Sequence, residues 1–168
     1  MLDICFYPDH NNLKLSKATE EYGLIWKEER GKIGKAISDI TGLNFKTKKI
    51  NAIVYEGSSY SYPLKLRASH SKTLKKTTLV HELFHRIFLD NKIKFEGRFY
   101  SKEWDYKVHK IISLFLYFTL KQLYGDEVLN ANVKKESKGE RKKIWVAVLK
   151  LSDSEKREYI RSFMASQQ

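Results

Sequence analysis

Residues 81–85 read His81-Glu82-Leu83-Phe84-His85, the H-E-x-x-H spacing. On a helix, residues four apart share a face, so His81 and His85 can aim two imidazoles at one point. Two imidazoles at one point are half of a tetrahedral zinc site. Glu82 stands about 100° further round the same helix. From there its carboxylate reaches a water on the metal rather than the metal itself, which suits a general base. The chemistry named by this spacing is metal-assisted hydrolysis.

The flanks determine the element that carries it. Leu79, Val80, Leu83, Phe84, Ile87 and Phe88 cover most of a helix circumference, and neither Gly nor Pro occurs between Lys72 and Lys94. Thr78, His81, Glu82 and His85 make one narrow polar stripe on this apolar cylinder. Such a stripe is at least partly buried, and buried imidazoles need partners, which a metal supplies to both at once. The pattern predicts a helix over Lys75–Leu89.

A catalytic zinc takes three protein ligands and keeps a position for water. The extended H-E-x-x-H-x-x-G-x-x-H pattern fails, because Phe88 and Asn91 stand where it needs glycine and histidine. The next histidine is His109, 24 residues past His85. A carboxylate near or on the following helix remains, and the candidates are Glu96, Glu103 and Asp105. Glu103 has the longer reach and is favoured. Asp105 shares a face with Val108 and Ile112, and first-turn acids also suit a helix N-terminus without any metal.

The other elements follow from periodicity and punctuation. Leu2–Tyr7 reads as a short strand. Ser16 reads as the cap of a long helix over Ser16–Ile40, weakened by Gly23, Gly31 and Gly34 and stopped by Gly42. Lys49–Glu56 is β-branched and apolar. After Gly57-Ser58-Ser59, the segment Tyr60–Arg67 alternates, so the two strands are expected to form a hairpin, with Pro63 pushing the second to an edge. Asp90–Tyr100 reads as a loop. Ser101 caps an apolar helix that Gly125 ends. Ser152 and Glu155 form a capping box for a last helix reaching about Met164.

The chain has 168 residues, one cysteine and a net charge of +12. One cysteine excludes an intramolecular disulfide and a cysteine-based zinc cluster. No transmembrane-length apolar run or leader segment is visible, so the expectation is a cytoplasmic protein that does not enter membranes. Charge is spread along the chain, apart from Lys134–Lys143, which holds six basic residues among Glu136 and Glu140. That run is the candidate contact for nucleic acid as a partner.

The order of backing helix, strands, H-E-x-x-H helix and acidic helix resembles the gluzincin type of zinc metallopeptidase, over residues 48–115. The short chain is similar to the minimal soluble forms called minigluzincins, and Thr78-Leu79-Val80-His81-Glu82 also resembles the ImmA/IrrE-like peptidases. The resemblance implies an α+β zincin-like fold, with a small, mostly antiparallel sheet backed by a long helix. It implies a Zn2+ cofactor held by His81, His85 and Glu103, with Glu82 as base. Lys107 departs from the Asp that often follows the glutamate ligand by four residues in this type. The expected organisation is a peptidase domain over 1–125 and a basic helical extension over 126–168 that packs on or caps it. The expected activity is hydrolysis of peptide or protein substrates, with latency if the extension fills the cleft. An extended substrate would add to the edge at Tyr60–Arg67, and Tyr100, Tyr106 and His109 are candidate oxyanion donors. The rivals are a catalytically silent zinc-binding protein and a nucleic-acid-associated factor.

Overall fold

The computed structural model describes residues 2–139 and 141–167, in three strands and five helices. They fall into two compact units, Met1–Asn91 and Lys92–Gln168. The architecture is α+β, as the composition of elements implies.

The first unit runs β1 (Asp3–Pro8), α1 (Leu13–Thr41), β2 (Lys49–Tyr55), β3 (Leu64–Arg67) and α2 (Lys72–Asp90). The sheet order is β1-β2-β3. Helix α1 lies between β1 and β2 in sequence and returns the chain so that these strands pair parallel, Ile4 opposite Ile50 and Phe6 opposite Ala52. Strand β3 is also parallel to β2, with Ala52 opposite Leu64 and Val54 opposite Leu66. Ile4, Ile50, Ala52, Val54, Leu64 and Leu66 are buried, while Asp3, Asn51 and Arg67, on the other face, are exposed. Helix α1 turns Tyr22, Ile25, Trp26, Ile33 and Ile37 into the same core.

The expected mostly antiparallel sheet is therefore corrected to a parallel one. Alternation assigns faces and is blind to direction, because a period of two reads the same either way. The hairpin expected between Lys49–Glu56 and Tyr60–Arg67 is replaced by a fold-back. Residues 56–63 return the chain, and on the far side of β3 Tyr60 pairs with Lys65 in a single antiparallel bridge. Helix α1 also starts earlier than Ser16. Asn12 caps it, its side-chain oxygen accepting from the amides of Lys14 at 2.8 Å and Leu15 at 3.3 Å. Gly42 ends it at φ 69°, the left-handed conformation that glycine takes without penalty.

The second unit holds α3 (Lys102–Glu136), α4 (Arg141–Lys150) and α5 (Asp153–Ala165). Ser101 caps α3 through the Trp104 amide, and Ser152 and Glu155 form the capping box of α5. Gly125 interrupts α3 at φ 78° and ψ −177°, so the expected stop is present as a break between two helical stretches. Ile111, Ile112, Leu114, Phe115, Leu129, Ile144, Trp145, Val148 and Ile160 are buried. The Trp145 indole donates to the buried Glu136 carboxylate at 3.1 Å. Among the described residues, no helix is long and apolar enough to cross a membrane.

Candidate metal centre

Ser71 caps α2 by accepting from the Leu74 amide, and the helix begins three residues before Lys75. Leu79, Val80, Leu83, Phe84, Ile87 and Phe88 are all buried, as the apolar circumference requires. The polar stripe is buried with them. His81 is 4% exposed and Glu82 6%, and His85 is half-buried. The Nε2 atoms of His81 and His85 lie 3.2 Å apart. Two imidazole nitrogens on a tetrahedral zinc, each at about 2.0–2.1 Å, stand roughly 3.3 Å from one another. The pair thus already has the spacing of one edge of such a tetrahedron.

Around Glu82, the same unit supplies a polar setting from α1. Tyr22 is fully buried and donates its hydroxyl to the Arg67 carbonyl at 3.0 Å. Burial first, then the negative charges of Glu82 and Glu21, push the Tyr22 phenol well above its ordinary range. Lys75 is buried two turns before Glu82 and pairs with Glu21, its ammonium 5.5 Å from the centre of the Tyr22 ring. Thr78 places its hydroxyl 3.2 Å from Nδ1 of His70.

On α3, His109 is buried and fixed at both ring nitrogens. Its Nδ1 is 2.9 Å from the Asp105 carbonyl oxygen and 3.0 Å from the Asp105 carboxylate. Its Nε2 is 2.8 Å from a guanidinium nitrogen of Arg141. A guanidinium only donates, so Nε2 accepts and the ring proton resides on Nδ1. This is the tautomer with a lone pair on Nε2, held by a carboxylate behind it, as metal-ligating histidines generally are. His81, His85 and His109 each offer one ring nitrogen, and the three ligand atoms lie within 4.8 Å of one another, so the cluster could hold a metal ion.

The carboxylates that the sequence offers as third ligand make other contacts. The Glu103 side chain is 71% exposed, with its carboxylate 3.0 Å from the Lys107 ammonium. Glu96 is 95% exposed and 3.7 Å from the same ammonium. Neither belongs to the cluster found among the described residues. Asp105 takes its place behind His109. Tyr100 is exposed and packs its ring against Phe99 and Trp104, and Tyr106 is exposed. In the sequence His109 stands 24 residues past His85, too far along the chain to read as the third histidine of the motif. The available signal was Asp105 and His109 four residues apart beside Val108 and Ile112.

Two further sequence expectations meet specific geometry. The outer edge of β3 is taken by the chain itself. Lys65 and Tyr60 exchange backbone hydrogen bonds at 2.9 and 3.1 Å, and the Arg67 amide donates to the Ser59 hydroxyl at 3.0 Å. An extended peptide cannot add at Lys65 and Arg67 without displacing that segment. The basic run at 134–143 is divided in its uses. Lys134 and Lys135 occupy the last turn of α3, where cations complement the helix dipole, Arg141 engages His109, and Glu140 lies outside the described residues.

The chain matches no protein-family model, and no curated protein or solved structure is significantly similar to it. The likeness to gluzincins accordingly rests on the H-E-x-x-H residues and their helix.

Proposed function

We propose that the protein is a zinc-dependent hydrolase of peptide bonds, with the zinc held by His81, His85 and His109 and with Glu82 as general base. The observation that carries this reading is the 3.2 Å separation of the two imidazole nitrogens, on a buried helix that also buries Glu82. Zinc, when bound, supplies a water of lowered pKa and a Lewis acid for the scissile carbonyl. Glu82 then accepts the proton of the attacking water and delivers it to the leaving amine. His109 offers Nε2 with its ring oriented by Asp105. The choice of zinc rests on the three-nitrogen donor set, which suits zinc among the divalent ions a cell supplies.

The experiment is Glu82→Gln, assayed for casein or peptide cleavage with zinc content measured in the same sample. The reading expects zinc to be retained and turnover to fall about 100-fold or more, the usual scale for losing a general base. Cleavage at the wild-type rate by zinc-loaded Glu82→Gln protein would remove the mechanism. A second reading, a zinc-binding protein without peptidase activity, is favoured by one observation, the self-closed edge of β3. Wild-type protein that binds zinc but cleaves no peptide would decide for it.

A further inference from the structure

Arg141 stands against a histidine of the candidate centre. Its guanidinium lies 2.8 Å from Nε2 of His109, whose Nδ1 faces the Asp105 carbonyl oxygen at 2.9 Å. Nδ1 is committed to Asp105, so the lone pair that accepts from Arg141 is the one a metal would need. A guanidinium cannot shed its proton in a protein, so it cannot share this nitrogen with a cation. Resting on the assignment of His109 as a ligand, we propose that Arg141 is a positioning residue of the metal site. It holds His109 in ligand-ready form while metal is absent, and it competes directly with the metal for Nε2.

The local setting makes the exchange feasible. Arg141 is the first residue of α4 and is half-buried. Two positions before it in the sequence, Gly139 sits at φ 58°. The helix itself is anchored by the buried Ile144, Trp145 and Val148. Loading would require Arg141 to leave Nε2 while Asp105 keeps the Nδ1 proton. No proton is released at His109, because the ring is already in its Nδ1-protonated form. Arg141 therefore imposes an energetic threshold on loading, and it protects His109 from the wrong tautomer.

The test measures zinc affinity of the full-length chain, stripped of metal, by competition with a chromophoric chelator, for wild type, Arg141→Met, His109→Gln and the double variant. Circular dichroism establishes that each is folded. Arg141→Met is expected to bind zinc about 10-fold to 100-fold more tightly, the range that losing one charge-assisted hydrogen bond to His109 corresponds to. In the His109→Gln background the same change should have little effect, because the contested nitrogen is gone. Unchanged affinity in Arg141→Met, with wild type binding zinc, would overturn the competition while leaving the metal reading in place. Weaker binding in Arg141→Met would overturn it too. Failure of wild type and Arg141→Met alike to bind zinc would dismiss both the metal reading and this inference. If Arg141→Met does not fold, Arg141→Gln, which retains a neutral hydrogen-bonding group, should give a smaller gain in the same direction.

Discussion

Individual side chains carry most of the chemistry, with His81 and His85 bringing their Nε2 atoms to 3.2 Å on one helix. His81, Glu82 and His85 could be placed from spacing alone, because a helix fixes which residues share a face. His109 could not, since its position depends on how α3 runs after a loop that carries no periodic signal. Asp105 illustrates the difference. As a first-turn acid it reads equally as ligand, cap or dipole partner, and only its 3.0 Å approach to the His109 Nδ1 gives it the role of orienting that ring. Tyr22 offers a residue-scale prediction. Its phenol is held protonated by burial and by the carboxylates near it, so its folded pKa is raised above the ordinary value of about 10. A raised pKa contributes stability that is complete below that value and is lost as pH climbs from there toward the folded one. Tyr22→Phe should therefore flatten the alkaline decline in unfolding free energy. At neutral pH it should cost about 1 kcal/mol for the hydrogen bond to the Arg67 carbonyl. Urea denaturation at neutral and at strongly alkaline pH measures both. A decline equally steep in the variant would contradict the account of Tyr22.

Helices were easier to read than strands. The cap of α5, the glycine end of α1 and the apolar circumference of α2 each have a local cause, and each is present. Strand direction has no such cause. Lys49–Tyr55 is β-branched and apolar and Leu64–Arg67 alternates, and both patterns serve a parallel neighbour as well as a hairpin partner. The start of α1 was misplaced for a related reason. Asn12 and Ser16 are both good caps, and the choice between them falls to Leu13 and Leu15, of which only Leu15 is buried. At this scale Gly125 is the sharpest test. Its φ of 78° with ψ of −177° belongs to a region that only glycine occupies comfortably. Nothing lies within 4 Å of an added Cβ, so the cost of substitution is conformational rather than steric crowding by neighbours. Gly125→Ala should destabilise the protein by about 1–3 kcal/mol, read from denaturation midpoints. A variant as stable as wild type would mean that α3 can run straight through this position.

Over the whole molecule, a net charge of +12 and the six basic residues at 134–143 describe a cationic protein, yet several of those groups already serve the fold. His81, His85 and His109 lie close enough together to hold a metal ion, where the sequence alone pointed to two histidines and the Glu103 carboxylate. These alternatives differ in what surrounds the metal. X-ray absorption at the zinc edge of the loaded, full-length protein reads that environment directly. The account predicts one zinc per chain, a first shell of nitrogen and oxygen at about 2.0–2.1 Å with the multiple scattering of three imidazoles, a signature that drops to two in His109→Ala and is unchanged in Glu103→Ala. Two imidazoles in wild type, or a spectrum that changes in Glu103→Ala and not in His109→Ala, would contradict it.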